Sequence, residues 1–354
     1  MSKICNAAQK PSLLIDASIY IFQYYFAMPD NWFSKKDSWP TAAVYGYTCF
    51  LIRLLKEQRP ERIAACFDES LGSCFRNQIY TDYKSSRALP DEALAFQLNA
   101  CKKITQLLGI KTFASKTFEA DDLLGSLYHR SRRSTRPIAV LTRDKDLGQL
   151  IIRDQDFLWD YSASSSSKVS VDNISKRDKN KDTKRQEVND DDASHLDESH
   201  LGVNNLGVNN LDYGNKGIKL FAPDITQKFG VQPQQMSDYL ALVGDVSDDI
   251  PGVPGVGKMT AQKLLTYFGS VESMLDNINE LSNLSIRGSS TLINKLVQYE
   301  EQINMAKKLA TIVVDIPMIE SVNDLSLKNP DVKKYQLFCK KMGFSRLASS
   351  IDFL

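Results

Sequence analysis

Histidine is scarce in this chain of 354 residues. Only His129, His195 and His200 occur, and none stands beside a cluster of acids. That scarcity argues against a zinc hydrolase and against general-base chemistry by histidine. The six cysteines show no C-x-x-C spacing, so neither a disulfide framework nor a structural zinc site is expected. No apolar run reaches the length of a bilayer span. The first ten residues lack the apolar core of a secretory signal, so a cytoplasmic protein is expected. Net charge is missing as well: 44 basic residues face 43 acidic ones. A total near zero still permits an acidic cleft and a basic surface that cancel in the sum.

What is present is a globular composition, 42% hydrophobic and 25% charged. One stretch departs from it. Residues 162–216 are polar and repetitive, with four serines at 164–167 and a tandem Leu-Gly-Val-Asn-Asn at 201–210. Such composition buries too little apolar area to offset the entropy of ordering, so a disordered insert is expected.

The acids follow a pattern. Three short apolar runs end in aspartate: Ser12 to Asp16, Arg62 to Asp68, and Pro137 to Asp144 and Asp146. Uninterrupted apolar runs suit strands buried on both faces of a parallel sheet. Between them lies a helical stripe from Asp91 through Leu98, Cys101, Ile104, Leu107 and Leu108, stopping at Gly109. This alternation predicts an α/β fold, whose ligand crevice lies at the carboxyl ends of the strands. Glu119, Asp121 and Asp122 open a further helix, where the helix dipole alone would favour acids. Asp245 and Asp248 precede a proline, and taken alone could mark a polar turn.

Together, Asp16, Asp68, Glu119, Asp121, Asp122, Asp144, Asp146, Asp245 and Asp248 would be strongly destabilising in one crevice unless cations neutralised them. An oxygen-only set suits Mg²⁺ or Mn²⁺. Setting these nine aside leaves 34 acids against 44 bases, a basic surface around an acidic pit. That pairing suits a phosphodiester substrate.

Two segments look made for phosphate. Pro251 to Leu265 follows a helical run at 235–243 and reads as helix, glycine hairpin, helix, with Gly252, Gly255, Gly257 and Lys258 at the turn. Exposed amides at a helix N-terminus bind anions; an ordinary inter-helix turn is the alternative. Upstream, Arg76, Tyr80, Tyr83, Lys84 and Arg87 would share one face of a continuous helix, cations interleaved with aromatics as single-stranded nucleic acid requires. A solvated amphipathic face would look the same.

In their order, these motifs resemble the 5′-nuclease family of 5′-3′ exonucleases and flap endonucleases, above all the nuclease domain of bacterial DNA polymerase I and its stand-alone relatives. The resemblance implies a PIN-like α/β core with a mostly parallel sheet, a helical arch and a helix-hairpin-helix (H3TH) DNA-binding subdomain. It implies a nuclease core over 1–161 with the arch at about 72–110, the insert at 162–216, the hairpin subdomain at 217–300, and a return to the core over 301–354. Two divalent metals are implied. Asp16, Asp68, Glu119 and Asp121 would mainly serve the first, and Asp144, Asp146, Asp245 and Asp248 the second, with Asp122 between. Tyr83, Lys84 and Arg87 would lie in or below the arch, Lys84 reaching the scissile phosphate. Arg76, Tyr80 and the hairpin would contact DNA, and the hairpin often holds K⁺. A monomer is expected, acting on 5′ single-strand/double-strand junctions in replication and repair beside a DNA polymerase in trans. Asp249 stands where polymerase-linked members usually carry asparagine. A non-catalytic DNA-binding protein of the same fold is the rival expectation.

Overall fold

The computed structural model describes residues 9–29, 32–161, 217–284, 289–319 and 321–351. The chain divides into two compact units: residues 1–160 with 219–354, and 161–218. The polar stretch 162–216 and its tandem repeat lie outside the described residues.

Strand β1 (Ser12–Asp16) carries Leu13, Leu14 and Ile15 at 0–1% exposure. A strand sealed on both faces belongs in the middle of a parallel sheet. It pairs in parallel with β2 (Ile63–Asp68) and with β4 (Ile138–Leu141). The outer strands β3 (Lys111–Ser115) and β5 (Phe157–Asp160) are also parallel, and with β6 (Ile218–Leu220) the order is β3-β2-β1-β4-β5-β6. Because these neighbours run the same way, Asp16 and Asp68 finish their strands at one edge.

Helices connect the strands. After β1 come α1 (Ala17–Ala27) and α2 (Ala42–Gln58), with Tyr20 stacked on Phe50 at 4.3 Å between ring centres. After β2 come the single turn α3 (Arg76–Ile79) and then α4 (Glu92–Leu107). The Asp91 carboxylate caps α4 by accepting from the Leu94 amide at 2.7 Å, as its place before the apolar stripe leads one to expect. Helix α5 (Ala120–Ser131) opens on the acidic triplet. The described residues after β6 are mainly helical: α6 (Ala222–Phe229), α7 (Met236–Val243), α8 (Lys258–Phe268), α9 (Val271–Asp276), α10 (Ser289–Gln298), α11 (Glu300–Ala310) and α12 (Val332–Met342).

The continuous helix expected through 75–87 does not form. Helix α3 ends at Ile79, and residues 81–87 run through successive turns with Lys84 at φ +53°. Tertiary pairing overrides the local period here. Arg76 is 2% exposed, and its guanidinium grips Asp122 with two bonds of 2.7 Å. The same group donates to the carbonyls of Leu309 (2.8 Å) and Thr311 (2.9 Å), while the amide of Val313 reaches Asp122 at 2.9 Å. Arg76 thus clamps the segment after α11 onto α5. Arg76 is therefore a buried anchor, not the DNA-facing cation of the sequence expectation.

Among the described residues, no helix is long and apolar enough to cross a membrane.

Removing one partner of a buried ion pair leaves the other charge stranded. Asp122→Ala should therefore cost about 3–5 kcal/mol in denaturant unfolding. A loss below about 1 kcal/mol would mean that the clamp is not structural.

Candidate metal and nucleic-acid site

The carboxyl edge of the sheet collects acids from five stretches of chain. Asp16 ends β1 and caps α1; its Oδ2 accepts from the Thr142 hydroxyl at 2.9 Å. Asp68 ends β2, with Oδ1 accepting from the Ser70 hydroxyl at 2.8 Å. Glu119 and Asp121 sit at the start of α5. Asp144 and Asp146 follow β4, and the Asp146 amide donates to Asp144 Oδ1 at 2.8 Å. Asp245 and Asp248 flank the short 3₁₀ turn after α7, where Asp245 Oδ1 accepts from the Ser247 hydroxyl at 2.6 Å.

Mutual repulsion links these groups into one pit. Burial, then Asp144, then Asp68 push the Asp16 carboxyl from its ordinary 3.8 up to about 7. Burial raises Asp121 well above the carboxylate range, helped by Asp144 and Asp16. Burial and Asp248 raise Asp144. Burial raises Asp146, with Asp144, Asp245 and Asp248 adding to it. Asp245 alone is held low: burial would raise it, but the Ser247 hydroxyl and Lys145 outweigh that. Asp122, expected among the metal ligands, stands apart, because it is wholly enclosed and both its oxygens are taken by Arg76.

Four cations face the eight remaining acids: Arg76, whose Nη1 also lies 3.3 Å from Glu119 Oε2, and Lys84, Arg87 and Lys145. Lys84 Nζ lies 2.6 Å from Glu119 Oε1 and 3.5 Å from Asp248 Oδ2. Burial alone would lower its proton affinity, yet the two carboxylates raise it, so the ammonium stays charged. Arg87, at the rim, meets Asp248 Oδ1 at 2.6 Å. Lys145 meets Asp245 Oδ2 at 2.9 Å. Tyr83 is 3% exposed, and its hydroxyl donates to Glu119 Oε2 at 2.9 Å. Sequence reasoning passed over Lys145 and Thr142, although both stand inside the Thr142-Arg143-Asp144-Lys145-Asp146 run that it singled out.

The donor set fits divalent cations. It is all oxygen, it carries more negative charge than its internal cations neutralise, and Asp146 Oδ1 is buried without a hydrogen-bond partner. Among the described residues, no group of three or more acidic, histidine or cysteine side chains stands, as placed, where it could hold a metal ion. Lys84, Arg87 and Lys145 instead lie on oxygens that a metal would use.

Two residues past Asp248, Asp245 bridges to Ile250 and the glycine hairpin begins. It joins α7 to α8, as the sequence predicts. A Cβ on Gly252 would fall 2.4 Å from the carbonyl carbon of Val243, so only glycine lets the hairpin close on α7. Gly255 takes φ +84°, and Gly257 caps α8 with open space beside it. Lys258 and the exposed first turn of α8 face outward. Tyr80 is half-buried.

With this geometry in hand, comparison with known proteins places the chain. A model described as 5′-3′ exonuclease, N-terminal resolvase-like domain, matches residues 11–186, and one described as 5′-3′ exonuclease, C-terminal SAM fold, matches residues 231–333. The chain belongs to the 5′-3′ exonuclease family. A 5′-3′ exonuclease from Buchnera aphidicola (subspecies Schizaphis graminum) is 28% identical over 95% of this chain and 98% of its own length. DNA polymerase I of Mycobacterium leprae is 29% identical over 92% of this chain, which spans only 30% of that protein. The fold is that of T5 5′-exonuclease, solved with divalent zinc bound (TM-score 0.55, 16% identity, 96% of this chain and 100% of that one). The catalytic core of Rad2 in complex with DNA substrate shares it (TM-score 0.56, 14% identity, 98% and 93%).

The raised carboxyls have a thermodynamic consequence. Asp16 keeps its proton in the folded state up to about pH 7 but loses it near 3.8 when unfolded. Between those values the fold binds more protons, so stability falls as pH rises. The metal-free protein should melt at a higher temperature at pH 6 than at pH 8, and Asp16→Asn should narrow the gap. Mg²⁺ should raise the melting temperature more at pH 8, where fewer protons compete. A reversed pH trend in thermal melts would refute the coupling.

Proposed function

We propose that this chain is a divalent-metal-dependent 5′ nuclease, a 5′-3′ exonuclease and flap endonuclease that hydrolyses DNA phosphodiesters at 5′ single-strand/double-strand junctions. The observation that carries this is the pit itself: eight acids from five chain segments, with burial and neighbouring carboxylates raising the pKa of Asp16, Asp121, Asp144 and Asp146, beside an outward-facing glycine hairpin.

Asp16, Asp68, Glu119 and Asp121 would hold one cation, and Asp144, Asp146, Asp245 and Asp248 a second, Mg²⁺ or Mn²⁺ in either place. When bound, the pair would supply Lewis-acid polarisation and an activated water. The chain's own groups do the rest. Tyr83 orients Glu119 through its hydroxyl. Lys84 remains protonated at the pit floor, and exchanges Glu119 for a phosphate oxygen to steady developing charge. Arg87, exposed at the rim, draws the strand in, and Tyr80 offers a ring to a base. Gly257, Lys258 and the start of α8 receive the duplex backbone. A K⁺ ion at the hairpin would compete with Gln302 and Lys295 for the Gly252 and Pro254 carbonyls, which accept at 2.9 and 3.1 Å. The alignment with part of DNA polymerase I supports replication and repair as the setting, and in this reading the chain works as a monomer beside a DNA polymerase.

The test is cleavage of a 5′-flap DNA in Mg²⁺. Lys84→Ala should lower kcat by roughly 100-fold or more, and Asp146→Asn should act in the same direction. Both variants should still bind the flap in Ca²⁺. Undiminished cleavage by both would defeat the assignment. Binding without any cleavage by the wild type would leave a DNA-binding protein only.

A further inference from the structure

The turns at 84–87 are docked on the acidic loop 247–249 by four hydrogen bonds. The Lys84 amide donates to the Asp248 carbonyl at 3.0 Å. Arg87 Nε reaches the Ser247 carbonyl at 3.3 Å, and its Nη2 reaches Asp248 Oδ1 at 2.6 Å. The Ser86 amide donates to Asp249 Oδ2 at 2.9 Å. Two of these acceptors are backbone carbonyls, and the third belongs to the pit. Asp249 is different. Its carboxylate answers to Ser86 and Arg87.

The backbone is bent to make this contact. Asp249 sits at φ +55° and ψ 30°, a left-handed conformation uncommon outside glycine, asparagine and aspartate. Opposite it, Lys84 is also left-handed at φ +53°. The two docked segments thus each carry a left-handed residue, and strain of this kind persists only where surrounding contacts hold it. The bend at Lys84 aims its ammonium at Glu119. Ser85, Ser86 and Arg87 are otherwise exposed, so little apolar packing fixes the tract.

We propose that Asp249 is a positioning residue: its carboxylate pins Ser86, and through it sets Lys84 and Arg87 over the acidic pit. The inference builds on the nuclease reading for its kinetic part alone, since the dock itself is a property of the free protein. A full negative charge on a backbone amide makes a stronger pin than a neutral acceptor.

The first measurement is hydrogen exchange of the peptide covering 82–90 in the metal-free protein. Asp249→Gly keeps the positive φ free of strain and removes only the acceptor. It and Asp249→Ala should speed exchange there by about tenfold, while exchange in β1, β2 and α5 stays unchanged. Asp249→Asn retains an oxygen acceptor and should restore most of the protection. On a 5′-flap substrate, Asp249→Gly should lower kcat by about tenfold with KM little changed, and Asp249→Asn should recover it. Unaltered exchange at 82–90, failure of asparagine to rescue, or loss carried wholly by KM would each overturn the proposal. If the wild type cleaves no flap, the nuclease reading fails while the exchange result still decides whether the pin exists.

Discussion

Repulsion among carboxylates is the constraint on which the rest of the molecule depends. A parallel sheet sends every strand's carboxyl end to one edge, and this chain places acids of the pit at or just beyond four of them. Such a concentration of charge is unfavourable in a folded protein. The fold tolerates it by protonating some members and by laying Lys84, Arg87 and Lys145 across others. The active surface is thus a place where stability is given up, and the surrounding α/β frame offsets the loss.

Asp122 shows how narrowly charge function and charge structure are separated. It lies one residue from Asp121 on the same helix turn, yet its carboxylate points into the protein and closes on Arg76. A helix turn rotates successive side chains by about 100°, enough to send one acid to the pit and its neighbour to the core. The pair does for the C-terminal segment what a disulfide does elsewhere: it ties α3, α5 and the segment after α11 with a fixed, two-bond geometry.

The sheet and the hairpin were legible because their signals are local and physical. Apolar runs ending in aspartate gave β1, β2 and β4, Asp91 and the stripe after it gave α4, and the glycines gave the turn between α7 and α8. The tract at 75–87 was misread because its helical spacing is real but loses to long-range partners. Arg76 prefers a buried carboxylate 46 positions away, and Lys84 adopts a backbone angle that no periodicity signals. Charge type alone could not say which of two adjacent aspartates turns inward. Nor could it show that Asp249 would reach across to the amide of Ser86.

The acids enter the chain at positions 16 to 248, and the clamp on Asp122 closes only with Val313. During synthesis, the central strands can pair as they emerge, but the pit stays open on one side until α7 and the loop after it have been made. The last tether arrives later still. The most repulsive region is therefore completed only after the central strands that frame it, and is tied down later still.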